Sequence, residues 1–324
     1  MSRAIRIHEY GKADNMKWEE VDVREPADGE VRIQHTAVGL NYIDVYQRSG
    51  LYDIGSLPAT LGMEGAGVVE KVGPGVEGFG VGDRVAYAMS LGAYSEFRII
   101  EANRLIRLPE DIADNVAAAM MLQGMTSQYL LKSSYGVTAG DTILVMAAAG
   151  GVGQILCQWA RHLGANVIGC VGSEAKAEIA RAAGCNHTIL YNSEDVAARV
   201  LDITNGRGVP VSYDSVGQAT LQASLDSLAP TGTLISFGNA SGPILGLNPG
   251  MLAAGGSLYL QRPTLATYTR NRELLEAVSE DLLDVVRSGK VKINVGQTYP
   301  LSDAVRAHHD LEGRKTTGSA ILLP

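Results

Sequence analysis

Over roughly the first 110 residues, apolar and polar positions alternate at the strand period: Ile5 and Ile7, then Val21 and Val23, then Val31, Ile33 and His35, with Pro and Gly between the runs. The stretch 61–76 sets Gly62, Gly65, Gly67, Gly73 and Gly75 among short β-branched runs, as a small barrel requires where its strands bend or turn. A compact β barrel is predicted there. From about Gly124 the rhythm becomes strand, turn, helix, repeated to Leu260, which predicts a parallel sheet covered on both faces. Its six strands are expected at 142–147, 166–171, 187–190, 209–213, 232–237 and 257–260. Between the first two, Val152, Ile155, Leu156, Trp159, Ala160 and Leu163 form one apolar helical stripe that Gly164 can terminate. Beyond Pro263 the pattern predicts a charged helix over 273–288 and a strand over 319–322, a tail that returns to pack on the first domain.

A chain of 324 residues suits about two domains. Its 38 glycines, about 12 per cent against a usual ~7 per cent, mean that many backbone positions need glycine. Net charge is −8 with acids and bases interspersed, which disfavours binding to nucleic acid or anionic membrane. No run of 18 apolar residues spans a bilayer, and Met1-Ser2-Arg3-Ala4-Ile5-Arg6 lacks an apolar signal core, so a soluble, cytoplasmic protein is expected. The three cysteines, Cys157, Cys170 and Cys185, match no thiolate metal spacing and read as reduced, buried thiols. His308 falls on the apolar face of a helix with Ala304, Val305 and Leu311.

The first strand of the α/β region runs through Ala148-Ala149-Gly150-Gly151-Val152-Gly153 directly into the striped helix, the strand-to-helix setting of a dinucleotide fingerprint. Glycines there let the backbone approach a pyrophosphate, and the helix's first N–H groups and positive dipole end stabilise its charge. Ala148 stands where the first glycine usually does, so alanine must adopt the tight turn. The second strand ends Cys170-Val171-Gly172-Ser173, followed by Glu174-Ala175-Lys176. No carboxylate caps the strand itself, while Ser173 and Lys176 offer a hydroxyl and an ammonium to a 2′-phosphate, which favours NADPH over NADH. Glu174 dissents, although as the first residue of a helix it can face solvent.

The stretch 140–161, with this turn at its centre, resembles the signature of quinone oxidoreductases of the zeta-crystallin type, in the medium-chain dehydrogenase/reductase superfamily. The likeness continues through Asn41-Tyr42-Ile43-Asp44-Val45-Tyr46-Gln47-Arg48-Ser49-Gly50-Leu51-Tyr52, Gly82-Asp83-Arg84-Val85, Tyr213-Asp214-Ser215-Val216-Gly217 and Ser236-Phe237-Gly238-Asn239. It implies an α/β-plus-β architecture: a GroES-like substrate domain over 1–123 and 264–324, split around a Rossmann NADPH-binding domain over 124–263 whose doubly wound parallel sheet has six strands. Zinc-dependent alcohol dehydrogenases share that architecture. Their ligand positions correspond here to Asn41, to Met63 between Gly62 and Glu64, and, less securely, to a residue near Gln123, a donor set that would hold Zn²⁺ poorly. A metal-free site is expected.

Loss of the zinc removes the Lewis acid that alcohol oxidation needs and leaves hydride delivery to an electrophilic quinone or conjugated enone. Negative charge then builds on the acceptor oxygen, which calls for hydrogen-bond donors. The resemblance implies that Asn41, Tyr46 and Tyr52 line the pocket beside the nicotinamide, with Asn41 polarising the acceptor, Tyr46 and Tyr52 orienting it, Tyr52 supplying a proton and Asp44 positioning them. Tyrosines clustered in a β domain also commonly pack with their hydroxyls at the surface, and a reduced quinone can take protons from water. By matching position, the cofactor contacts extend from Gly150, Gly151, Val152 and Gly153 to Tyr129, Gly172, Ser173, Lys176, Tyr191, Ser215, Phe237, Asn239 and Arg314. A homodimer through the last Rossmann strand, 256–260, is expected because an apolar edge strand needs covering. The alternatives are an NADPH-dependent alkenal or enoyl reductase, and a low-turnover NADPH-bound protein that binds RNA, against which the net charge argues.

Overall fold

The structure, a computed structural model, describes residues 2–324 and divides into two compact units. The first runs to Met125 and takes in Thr269–Glu280 and Ile293–Pro324; the second comprises Thr126–Tyr268 and Asp281–Lys292. No helix among the described residues is long and apolar enough to cross a membrane.

In the first unit the predicted β-rich start becomes a seven-stranded sheet and a three-stranded one. The larger runs Val295–Pro300, Ser319–Leu323, Glu30–Leu40, Glu64–Val72, Arg84–Ala88, Ile106–Arg107, with Phe97–Glu101 also paired to Glu30–Leu40. The C-terminal strand does return as its sequence suggested, pairing antiparallel with Glu30–Leu40 through Ala320 and Leu40. Bends sit where the glycines are. Register shifts interrupt the pairing of Glu30–Leu40 with Glu64–Val72, and a Cβ on Gly67 would lie 2.1 Å from the carbonyl oxygen of Gln34. Ile5, Ile7, Val31, Ile33, Val69, Val85 and Tyr87 fill the interior. His35 is buried among them as a neutral ring: its Nδ1–H donates to the Ser95 carbonyl and its Nε2 accepts from the Tyr87 hydroxyl, and burial pushes its pKa down to about 3.

In the second unit all six expected strands are present and parallel, in the order His187–Leu190, Asn166–Val171, Thr142–Met146, Val209–Asp214, Leu228–Ser236, Tyr259–Gln261. This is the doubly wound order that places ligand-binding loops at the carboxyl ends of the strands. The fifth strand starts four residues before its predicted first residue, Gly232. Pro230-Thr231-Gly232 reads as a turn, but the strand continues past a register irregularity with Thr231 at φ +63°. Helix Gly151–His162 buries Ile155, Leu156, Trp159 and Ala160 and gives way to Gly164 at φ +90°, the left-handed residue that terminates it.

At the glycine-rich turn one expectation needs correction. The left-handed residue is Ala147, at φ +56°, rather than Ala148, which is fully buried. Gly153 serves close packing, since a Cβ there would lie 2.4 Å from the Ala147 carbonyl oxygen and 2.8 Å from the Ala148 backbone. These are backbone atoms that cannot swing aside. Gly153→Ala is therefore expected to destabilise the protein by about 1–3 kcal/mol, the usual effect of overpacking, and to lower the thermal unfolding midpoint; an unchanged midpoint would contradict this packing.

Candidate active site

On the first unit the site is organised by the short helix Tyr42–Arg48, which starts just after Asn41. Asp44, three residues on, turns back so that its Oδ2 accepts from the Asn41 backbone N–H at 2.8 Å, a bond that fixes the chain's entry into the helix. The same oxygen accepts from the Tyr94 hydroxyl at 2.9 Å, whose oxygen in turn lies 3.2 Å from His308 Nε2. Asp44 is fully buried and its other oxygen has no partner, so burial pushes its pKa up to about 7. Arg48, also buried, reaches Glu312 with one nitrogen while its Nε and Nη1 remain unbonded. His308 is neutral, its pKa pushed down to about 3 by burial with help from the Arg48 charge.

The three positions identified with metal ligands hold a hydrogen-bonded set. Gln123 Nε2 donates to Asn41 Oδ1 at 3.0 Å, Asn41 Nδ2 donates to Glu64 Oε1 at 2.6 Å, and the Met63 sulfur accepts from Gln47 Nε2 at 3.1 Å. Glu64 Oε2 accepts from the Leu122 N–H at 2.7 Å, and Ser319 Oγ donates to Gln123 Oε1 at 2.7 Å. Each of the three acceptor atoms, Asn41 Oδ1, Gln123 Oε1 and the Met63 sulfur, already takes a hydrogen bond from a protein donor. Among the described residues no group of three His, Cys, Asp or Glu side chains could hold a metal ion, and two amides with a thioether do not fit Zn²⁺. Burial, reinforced by the Asp44 charge, pushes the Glu64 pKa up to about 8 despite its two hydrogen bonds.

Tyr46 and Tyr52 meet edge to face with ring centroids 5.2 Å apart, and the Tyr52 N–H donates to the Tyr46 carbonyl. Tyr46 is buried and Tyr52 half-buried. Tyr42, the third member of the sequence cluster, sends its hydroxyl to the Leu311 carbonyl at 3.1 Å. The predicted residues Asn41, Asp44, Tyr46 and Tyr52 thus sit on or beside one helix. Glu64 and Ser319 were not singled out by the sequence. The only signal for Glu64 was its place after Gly62-Met63; Ser319 lies 196 residues from its partner Gln123.

On the second unit, Gly150 precedes the helix that carries Gly151, Val152 and Gly153. At the end of the neighbouring strand a Cβ on Gly172 would lie 2.6 Å from the Tyr191 hydroxyl, and Asn192 Nδ2 donates to the Gly172 carbonyl. Ser173 caps helix Glu174–Ala182, its Oγ accepting from the Lys176 backbone N–H. Glu174 is exposed and forms an ion pair with Arg181, so its carboxylate is turned to a cation on its own helix. The dissent it offered to a 2′-phosphate is thereby weakened. Tyr129 is buried and stacks on Tyr268, with ring centroids 4.3 Å apart and planes 3° from parallel. Ser215 follows Asp214, which accepts from the Val216 and Gly217 N–H groups and from the Thr220 and Ser224 hydroxyls. Phe237 and Asn239, both half-buried, bracket Gly238 at the end of the fifth strand, where Arg262 donates to the Ser236 and Gly238 carbonyls. The sequence did not mark Tyr268, Arg262 or Asp214, although Asp214-Ser215-Val216-Gly217 carries the signal of an Asx turn. Arg314 is exposed at φ +57° and belongs to the first unit.

Residues 27–110 match the alcohol dehydrogenase GroES-like domain and 151–280 the zinc-binding dehydrogenase family. The latter's description includes a metal for which the residues above do not fit. Over their full lengths the chain is 49% identical to a quinone oxidoreductase of Pseudomonas aeruginosa. It is 47% identical to a 2-haloacrylate reductase of a Burkholderia species, with all of this chain and 99% of that one aligned. The crystal structure of Escherichia coli quinone oxidoreductase complexed with NADPH superposes with a TM-score of 0.98 at 46% identity, covering both chains completely.

Asp44 and Glu64 hold their protons more tightly in the folded chain than in the unfolded one, where such groups titrate near 4. The native state therefore binds more protons between about pH 4 and pH 8, and the stability this linkage contributes is present below that window and lost as pH rises through it. The unfolding midpoint is expected to fall from pH 5 to pH 9, and to fall less in Asp44→Asn, as thermal denaturation across that range would record; equal slopes would contradict the raised carboxyl.

Proposed function

The chain belongs to the quinone oxidoreductases of the medium-chain dehydrogenase/reductase superfamily, and from that premise we propose that it reduces quinones with NADPH and without a metal ion. One observation carries the reading. Where related dehydrogenases hold zinc, Asn41 accepts from Gln123 and donates to Glu64, so the site offers amide N–H donors in place of a Lewis acid. The nearby Tyr46 and Tyr52 pair adds two phenols. Such donors can stabilise the charge that develops on an acceptor oxygen but would do little to deprotonate an alcohol.

NADPH, when bound, supplies the hydride. The residues that would hold it are the turn Gly150, Gly151, Val152 and Gly153, with Tyr129, Gly172, Ser173, Lys176, Tyr191, Ser215, Phe237, Asn239 and Arg314. The close approach of Gly153 to the Ala147 backbone supports the pyrophosphate turn, and the pairing of Glu174 with Arg181 supports a 2′-phosphate beside Ser173 and Lys176. On the acceptor side Asn41 polarises the oxygen, Tyr46 and Tyr52 orient the ring, and Tyr52 gives the proton. Asp44 positions them by fixing the start of the helix. Three buried free thiols, with Cys185 Sγ donating to Cys157 Sγ at 3.5 Å, support a reducing, cytoplasmic setting. The edge strand Tyr259–Gln261, with Tyr259 63% and Leu245 72% exposed, supports a homodimer through this edge; a single monomeric species by sedimentation velocity would overturn that assignment.

The 2-haloacrylate reductase among the relatives favours a second reading, reduction of a conjugated carbon–carbon double bond. Steady-state kinetics with a quinone series and an enone series separate the two. The primary reading predicts higher kcat/KM for quinones, NADPH preferred over NADH, and a lower kcat in Tyr52→Phe with little change in KM. An enone preference would transfer the assignment to the second reading, and an unchanged kcat in Tyr52→Phe would remove only its proton-donor role.

A further inference from the structure

The hydrogen bonds that replace the metal ligands all run in one direction. Ser319 Oγ donates to Gln123 Oε1, Gln123 Nε2 to Asn41 Oδ1, and Asn41 Nδ2 to Glu64 Oε1. The chain ends at a carboxylate whose other oxygen accepts from the Leu122 N–H. At the Glu64 end the direction is set by geometry: both carboxyl oxygens accept, one from the Asn41 amide and one from the Leu122 N–H, which can only donate. All four side chains are buried, so water does not scramble the order. The carboxylate is pressed against bare backbone, since a Cβ on Gly39 would lie 2.2 Å from Glu64 Oε1. With one amide hydrogen of Asn41 given to Glu64, the other is the one left for an acceptor.

We infer that Glu64 is a positioning residue that sets the polarity of the Asn41 amide, holding its N–H group rather than its oxygen toward the reacting carbonyl, with Gln123 and Ser319 steadying it from the other side. The inference rests on the proposed role of Asn41 as the polarising donor. Its physical consequence is specific. In Glu64→Gln the new amide must keep its oxygen toward the Leu122 N–H, so its NH₂ faces Asn41. Asn41 must then turn its oxygen toward residue 64, Gln123 must turn its own oxygen toward Asn41, and the Ser319 hydroxyl rotates to accept. One isosteric, charge-removing substitution reverses the whole chain. The site then offers Asn41's other face, so a ligand that accepts hydrogen bonds loses its donor and a ligand that donates them is relatively favoured.

The test compares tetramethyl-1,4-benzoquinone, an acceptor, with its hydroquinone, a donor of the same shape, each bound anaerobically to the wild type and to Glu64→Gln at the same pH. In Glu64→Gln the ratio of the two Kd values is expected to shift toward the hydroquinone by roughly tenfold, one hydrogen bond's worth. The kcat for the quinone should fall on the order of 100-fold, as for loss of one oxyanion donor, with the NADPH Kd unchanged. A fall in kcat without the shift in ratio would mean a merely structural effect and would overturn the inference. So would no change in either, provided Asn41→Ala still lowers kcat. If Asn41→Ala leaves kcat intact as well, the proposed role of Asn41 falls, and the inference with it.

Discussion

The buried carboxylate of Glu64 is the constraint around which the first unit's site is arranged. It receives one N–H from Asn41 and one from Leu122, and it draws together the strand that carries Glu64, the residue that begins the tyrosine-bearing helix and the helix that carries Gln123. A carboxyl removed from water to this extent is unfavourable when charged unless donors meet both its oxygens. The amide chain meets that need. Zinc in a related fold collects its ligands around a positive centre; here a buried carboxyl group collects donors, and the remaining amide hydrogen of Asn41 is the one the proposed reduction would use.

The second unit depends on a different close contact. Its turn works because Gly153 lets the helix lie against the Ala147 and Ala148 backbone, which aligns the helix's first N–H groups with the end of the strand. Ala147 takes the left-handed conformation that a glycine would adopt more easily, an arrangement that the surrounding packing must enforce. At the end of the adjacent strand, Asp214 ties four donors into a corner next to Ser215. The carboxyl ends of the parallel strands are thus set by backbone proximity and local hydrogen bonds.

Periodicity made the six parallel strands and the striped helix legible, because each buries an uninterrupted apolar face that leaves a mark in consecutive residues. Strand ends were less legible where Pro230-Thr231-Gly232 imitates a turn but is accommodated within the strand. The tyrosines, Asn41 and Asp44 stood out as a local cluster, and Tyr46 and Tyr52 do pack on each other. Glu64, Ser319, Tyr268 and Arg262 did not stand out. Their partners lie far along the chain or on another element, and a single serine or glutamate in a strand looks like any other until the sheet closes and shows what it faces. The substitution of Asn41 and Met63 at metal-ligand positions was visible as a loss of ligands; that the same residues form a directed chain of donors required the fold.

The central claim, that amide donors do here what a metal does in related dehydrogenases, is tested most directly by metal analysis of active protein. Chelator-treated enzyme assayed for quinone reduction with NADPH, with zinc counted by mass spectrometry on the same sample, should retain its turnover with far less than one metal ion per chain. Activity lost on chelation and restored by stoichiometric Zn²⁺ would contradict the account.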